Sequence, residues 1–380
     1  MQYRNYGKTG VKVSALAFGA MRLPMTEGRI DRNQSLPLIH RAIELGVNYL
    51  DTGKWYCNQD SERFIGEAIK GFDRSRLYLS TKYAQEHPTA ADLREKFEAS
   101  LKLMDLDYID FYHLWGLSWE QFETKMACKG GPLEAFLKLK EEGRVKHLSF
   151  SFHSKPEDMK RLIDTGYFET VLCQYNLLDR ANEEAIAYAA SKGLGVAIMG
   201  PVGGGRLGWP ADSFSKMLDA RKPVSTPEIA LRFVLANRNV SMALSGMGAL
   251  QQVEENVAVA SNESYLSTGE AQTITQAMNE NRKFADLYCT GCGYCMPCPN
   301  KVDISRVFQL ANYERVYGMK HVAHSEYKPL TEGTHWSKNK GAESCTECGQ
   351  CEPKCPQKIK IMSQLKQAHE MLTKDDGWKK

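Results

Sequence analysis

The chain has 380 residues, 42% apolar and 25% charged, with a formal net charge of +3. Such a length suggests two domains, the composition is that of an ordinary globular protein, and the lack of any run of 18 apolar residues excludes a helical membrane span. A charge so near balance offers nothing to nucleic acid, and MQYRNYGKTG at the N-terminus carries no apolar export signal, so the expected location is cytoplasmic.

In chain order, MQYRNYGKTGVKVS predicts a short hairpin turning at Lys8-Thr9-Gly10. Eight apolar runs follow, at 13–20, 46–53, 77–83, 108–115, 145–152, 170–176, 195–201 and 241–247. Most are nearly continuous in apolar or β-branched residues, as parallel strands covered on both faces should be. Helical patterns lie between them. Leu93, Phe97, Leu101 and Met104 share one face at three-to-four spacing, and so do Leu133, Phe136, Leu137 and Lys140 before Gly143. Thr226 and Pro227 open another. Eight strand–helix units predict an α/β fold, a (β/α)8 TIM barrel over residues 1–264. A linker helix is expected over 265–288, starting at Ser267 or Thr268. Residues 289–380 then form a mainly helical domain, with helices in VDISRVFQLANYERVYG and IKIMSQLKQAHEMLTK.

In a TIM barrel, chemistry sits where strands end at the C-terminal face. Asp51 closes the second strand, with Tyr56 five residues on; Lys82 closes the third and His113 the fourth. Singly, each has a plain structural use: a turn cap, a half-buried loop aromatic, a satisfied core histidine. A lysine after LYLST is harder to place so, because it points into a desolvated site. Together the four make a functional constellation. A tyrosine gives its proton to a carbonyl only if its pKa of ~10 is brought down. Lys82 is expected to lower it by favouring phenolate. Asp51 would pair with Lys82, and His113 would orient the carbonyl oxygen or relay the proton.

The segments YLDTGKWYCNQDSE, STK, YIDFYHLW, EEGRVKHLSFSFH, CQYNLL and VEEN resemble the aldo/keto reductase superfamily in order and spacing, over residues 1 to about 262. The resemblance implies Asp51, Tyr56, Lys82 and His113 as catalytic tetrad, Tyr56 as proton donor, and hydride transfer with a nicotinamide at the barrel mouth. It implies carboxamide contacts from Ser151 and Gln174. Phe152 stands where the family usually has Asn, and Asn176 lies just beyond. At the adenine end it implies Glu255 and Asn256, following Ser245 in LSGMGALQQVEEN. That stretch has no Lys or Arg. Members preferring NADPH carry a cation there for the 2′-phosphate, so NADH is expected over NADPH, or weak discrimination, unless a basic residue such as Arg206 reaches in. MGPVGGGRLG lacks the G-x-G-x-x-G spacing. Gly203 and Gly204, with Gly205, are expected to let backbone approach the cofactor pyrophosphate or to form a mobile lid.

Eight of the eleven cysteines fall in two runs: Cys289, Cys292, Cys295 and Cys298 before Pro299, and Cys345, Cys348, Cys351 and Cys355 before Pro356. The second has the C-x2-C-x2-C-x3-C-P spacing of 4Fe–4S ferredoxin sites, and the first is one residue short in its last gap. Three thiolates two residues apart on a tight loop reach three corners of one cubane, while the fourth points to the other cluster. Two 4Fe–4S clusters are therefore expected, one on Cys289, Cys292, Cys295 and Cys355, the other on Cys345, Cys348, Cys351 and Cys298. Structural zinc is the alternative use of C-x2-C pairs, but two runs each ending in Cys-Pro fit it poorly. The isolated Cys57, Cys128 and Cys173 read as buried small hydrophobes rather than ligands. Each oxidised cluster with its thiolates brings roughly two negative charges, which leaves the loaded chain near neutrality. With this tail the whole chain resembles the branch of the superfamily with an appended ferredoxin-like domain.

A chemical mismatch stands in this reading. Nicotinamide moves two electrons as hydride, whereas a 4Fe–4S centre moves one, and no flavin motif is visible to bridge them. Three readings stay open. The clusters couple the barrel to a redox partner protein; or they are structural; or the barrel is a non-redox lyase or binding module. The four polar residues at the mouth tell against the third, and the first is preferred: an oxidoreductase acting on a small carbonyl or alcohol substrate.

Overall fold

The computed structural model describes residues 1–84, 88–209, 224–288, 295–355 and 359–374, with 280–288 as backbone alone. The chain divides into two compact units, Met1–Gly204 with Ala230–Leu266, and Gly205–Ile229 with Ser267–Lys380.

In the first unit, β1 (Tyr3–Asn5) and β2 (Lys12–Ser14) form the expected hairpin, with Tyr3 opposite Ser14. Strand β3 (Leu16–Gly19) enters the barrel, and a small ribbon of β4 (Met25–Thr26) and β5 (Arg29–Ile30) follows it. The other barrel strands are β6 (Tyr49–Asp51), β7 (Tyr78–Tyr83), β8 (Ile109–Leu114), β9 (Val145–Phe152), β10 (Thr170–Gln174), β11 (Gly195–Met199) and β12 (Met242–Ser245). All eight pair in parallel and close on themselves between β12 and β3. Each of the eight apolar runs is one of these strands. Their near-continuous apolar sequence reflects cover on both faces; every residue of β8 is buried.

The helices pack their apolar stripes on this barrel. Helix Ala90–Met104 buries Leu93, Phe97, Leu101 and Met104, starts under the Thr89 side chain and stops at Asp105 in the left-handed region. Helix Pro132–Glu141 differs from expectation. It buries Leu133, Phe136 and Leu139, while Leu137 and Lys140 stay half-exposed. The buried stripe runs in steps of three, which leaves Lys140 at the border, where its ammonium pairs with Glu169.

The N-terminal end of the barrel is plugged. Tyr6, just past β1, packs on Tyr49 and Phe111 with ring centroids 5.9 and 4.9 Å apart. At Gly195 a Cβ would lie 2.2 Å from the Tyr6 ring, so that position admits only glycine. A filled lower end leaves the C-terminal rim for chemistry.

In the second unit, helix Thr268–Tyr288 begins with a reciprocal cap. Ser267 N–H donates to Glu270 at 2.8 Å, and Glu270 N–H donates to Ser267 Oγ at 3.2 Å. Helices Ile304–Arg315 and Ile361–Leu372 fall in the two segments expected to be helical. A third, Lys320–Thr331, was not expected. Pro329 in its last turn and two early histidines obscure its stripe of Val322, Ala323, Tyr327 and Leu330. The Tyr327 hydroxyl fastens these pieces, accepting from Ala342 N–H at 2.9 Å and meeting His369 Nδ1 at 2.8 Å. Among the described residues no helix is long and apolar enough to cross a membrane.

Candidate active site

Strand register brings the polar residues of the C-terminal rim together. Asp51 sits beside Ser80, and Lys82 beside His113. The Lys82 ammonium donates to both Asp51 carboxylate oxygens and to the Thr52 carbonyl, each at 2.7 Å. Its three protons are thus all used. The two side chains are only 2% and 1% exposed. Ser80 Oγ donates to Asp51 Oδ1 at 2.7 Å, satisfying the carboxylate further. Burial is the largest single influence and favours a neutral lysine, but Asp51 and Tyr56 together outweigh it, and Lys82 is held above its ordinary pKa.

Tyr56 opens a tight turn through Cys57, Asn58 and Gln59, whose φ angles are 48°, 53° and 68°. Three successive non-glycine residues in the left-handed region need outside support. Asn58 Nδ2 donates to the Gly28 carbonyl at 3.1 Å, and Cys57 Sγ lies 3.5 and 3.4 Å from the Ala20 and Met21 carbonyls. Cys57 is buried as expected, as is Cys173, and it also ties the Tyr56 turn to the segment after β3; Cys128, expected to be buried, is exposed. The Tyr56 ring centroid is 4.6 Å from Lys82 Nζ.

The electrostatics of Tyr56 correct the expectation from sequence. Burial raises its phenol above the ordinary value, and the Lys82 ammonium only partly counters this. The phenol is a protonated donor rather than an incipient phenolate. His113 Nε2 lies 4.0 Å from Asp51 Oδ1. Burial, then the Lys82 charge, hold its pKa well below the ordinary value, so the ring is neutral. The Phe150 backbone lies near enough to raise that pKa slightly, but neither ring nitrogen makes a hydrogen bond of full geometry among the described residues. An unsatisfied buried imidazole leaves a donor for a substrate oxygen.

Aromatic rings wall this site, and two of them, Trp55 and Trp115, were missed by the sequence reading. Trp115 follows β8 directly, with its ring 5.5 Å from Tyr56 edge-on and 4.8 Å from Trp55. The rule that selected His113, a strand ending at the rim, also applies to position 115. Gly53 gives these rings room: a Cβ there would lie 3.3 Å from Trp115 and 3.5 Å from Tyr56.

The residues implied for the cofactor lie at or beyond the C-terminal ends of β9 to β12. Ser151 is buried, and its Oγ accepts the Gly116 N–H at 2.8 Å. Phe152 is fully buried against Phe150, with centroids 6.2 Å apart. The Gln174 amide lies over Gly200, where a Cβ would come within 2.7 Å of its Oε1. Gly203 and Gly204 have φ of 61° and 69°. Ser245 ends β12, and its Oγ accepts from Asn256 Nδ2 at 3.4 Å. Glu255 is exposed and accepts from Gln251 at 2.7 Å within its own helix. Arg206, the basic residue weighed for the 2′-phosphate, meets Glu326 at 3.3 Å in the second unit. A rim of amide, hydroxyl and bare backbone groups suits a dinucleotide.

In the second unit, Cys295, Cys298, Cys345, Cys348 and Cys351 line one pocket, whose apolar wall includes Val302, Ile304, Met362 and Leu365. Asn300 Nδ2 donates to Thr346 Oγ1 at 2.7 Å, drawing the end of the first run to the start of the second. Cys298 therefore shares a pocket with Cys345, Cys348 and Cys351, and so does Cys295, which was expected in the other set. Cys355 is not among the residues lining this pocket, and Cys289 and Cys292 lie outside the described residues. Among the described residues no three His, Cys, Asp or Glu side chains converge on a point fit for a single metal ion. A pocket lined by thiols and apolar groups suits iron–sulfur ligation by its donor chemistry.

Both units have relatives. Residues 15–279 match the aldo/keto reductase family, and residues 288–362 match a 4Fe-4S dicluster domain. The chain belongs to the aldo/keto reductase family, a family of oxidoreductases, and carries a 4Fe–4S dicluster domain C-terminal to it in the sequence. It is 30% identical to L-galactose dehydrogenase of Arabidopsis thaliana, over 68% of this chain and 88% of that protein. The aldo-keto reductase AKR11C1 from Bacillus halodurans, in its holo form, superposes with a TM-score of 0.63 at 28% identity, over 73% of this chain and 96% of its own. An aldo/keto reductase from Klebsiella pneumoniae in complex with NADP and acetate shares the fold, with a TM-score of 0.61 at 23% identity, over 73% and 95% of the two chains.

Proposed function

We propose that the chain reduces a small carbonyl compound, or oxidises the corresponding alcohol, with a nicotinamide dinucleotide, and exchanges electrons with a partner protein through two 4Fe–4S clusters. The observation that carries this reading is the buried Lys82–Asp51 pair under the Tyr56 ring, beside a buried, neutral His113. The nicotinamide supplies or takes a hydride. Tyr56 gives its proton to the carbonyl oxygen, and its elevated pKa keeps that proton in place until the oxygen gains charge. Lys82, charged and adjacent, then stabilises the phenolate left behind. His113 donates to the same oxygen and orients it, while Trp55 and Trp115 shed water from the site.

Ser151, Gln174, Gly203, Gly204, Ser245, Glu255 and Asn256 are the proposed cofactor contacts. The support for NADH over NADPH is the absence of Lys and Arg from 244–256, and titration of both cofactors decides between them. Crossed ligation by Cys345, Cys348, Cys351 and Cys298, and by Cys289, Cys292, Cys295 and Cys355, is the proposed cluster arrangement. Thiolate donors need a reducing compartment, which makes the cytoplasm the proposed location.

One preparation tests both halves. Protein purified without oxygen is expected to hold about eight iron and eight sulfide per chain, two cubanes, and to oxidise NADH or NADPH with members of an aldehyde and ketone panel. Zinc without sulfide would end the electron-transfer reading. A protein that turns over no carbonyl or alcohol with either cofactor would end the oxidoreductase reading.

A further inference from the structure

Arg22 is an exposed arginine in the loop after β3. No chemistry has yet been assigned to it, and its neighbours are distant in sequence. A Cβ built on Gly246 would lie 3.4 Å from Arg22 Cβ and 3.7 Å from its Cδ, so the arginine stem runs along the loop after β12. A Cβ on Gly204 would lie 3.6 Å from Arg22 Nη2, so the guanidinium ends against the loop after β11. On Gly248 the same atom would lie 3.8 Å from the Arg22 carbonyl. The arginine thus spans two glycine-bearing loops on one side of the rim. It has no hydrogen-bond or ion-pair partner among the described residues.

Two further features favour an anion there. Helix Leu250–Ala260 begins just beyond Gly248, and its N-cap is Ala249, which offers no side-chain acceptor to the first N–H groups. Glycines at 204 and 246 leave backbone bare where a bulky, doubly charged group has to approach. A guanidinium with no ion-pair partner, bare loops and an uncapped helix start make up the chemistry that holds phosphate.

We propose that Arg22 binds a phosphate group of the dinucleotide cofactor, and that it supplies the cation missing from residues 244–256. The proposal rests on the reading of a nicotinamide cofactor given above. Its phosphate is either the pyrophosphate common to both cofactors or the 2′-phosphate found only in NADPH, and binding measurements separate them.

The test is fluorescence titration of NADH and NADPH into the full chain, as wild type, Arg22→Ala and Arg22→Lys. Losing a charge-assisted contact of this kind is expected to weaken binding by at least ~10-fold. Equal losses for both cofactors would assign Arg22 to the pyrophosphate, and a loss confined to NADPH would assign it to the 2′-phosphate. Arg22→Lys should fall between, because it keeps the charge and loses the fork. Arg22 lies on an exposed loop, so the melting temperature should stay that of wild type; were Arg22→Ala to fail to fold, Arg22→Gln carries the same comparison. Unchanged affinity for both cofactors in a variant, with wild type binding at least one, would overturn the role of Arg22 alone. A wild type that binds neither would overturn the cofactor reading beneath it.

Discussion

Replacing Tyr56 by Phe is expected to lower carbonyl reduction by at least ~100-fold, the ordinary scale for losing a general acid. The ring would keep its place 5.5 Å from Trp115 and 4.6 Å from Lys82 Nζ, so packing is conserved and only the proton is lost. Affinity for the cofactor and the melting temperature should both be close to wild type. The pH profile carries a second signature. Reduction needs the phenol protonated, and burial lifts its pKa above the ordinary value of 10.0. Loss of this proton should therefore cut reduction only as pH rises beyond that value, and Tyr56→Phe should show no such limb. Steady-state rates with NADH or NADPH check this, and near-normal turnover in the variant would remove Tyr56 from the chemistry.

Lys82→Met is expected to cost about 3–5 kcal/mol of stability, the usual result of leaving a buried charge without its partner. Asp51 is 1% exposed and, among the described residues, would keep the Ser80 hydroxyl at 2.7 Å and the neutral His113 ring at 4.0 Å in place of a cation. Adding Asp51→Asn should recover part of the loss, because the unpaired carboxylate goes with it. Neither variant should reduce carbonyls at a useful rate, since Tyr56 then lacks the cation that steadies its phenolate. Urea unfolding of the single and double variants checks the ordering. A loss under about 1 kcal/mol in Lys82→Met would place the pair in a solvated setting, contrary to the geometry described.

The barrel strands were legible because their apolar runs are nearly unbroken, and that pattern needs no partner to interpret. The strand ends then placed Asp51, Lys82 and His113 on adjoining strands. What lay beyond the sequence was the balance of opposed effects. Lys82 does act to lower the Tyr56 pKa, but the sign of the total depends on how much water the surrounding groups remove, which no spacing reports. Helix Lys320–Thr331 was hidden by a proline and by polar residues on its outer face. Leu139 replaced Leu137 on the buried face of its helix because the stripe there advances by threes. Arg22 was silent because its meaning comes from Gly204 and Gly246, which only barrel closure brings beside it. A count of cations within one loop says little about the charge present at that loop in space.

The central claim is hydride transfer at the barrel rim with a proton from Tyr56, with the clusters serving electron exchange elsewhere. A reduction run anaerobically with nicotinamide cofactor deuterated at the transferable position of C4, in ordinary water, tests it most directly. The account predicts one deuterium on the carbinol carbon of each product molecule, with the hydroxyl hydrogen drawn from solvent. Product formed at full rate with its new carbon-bound hydrogen drawn from solvent would contradict it, since the electrons would then have travelled singly through the clusters.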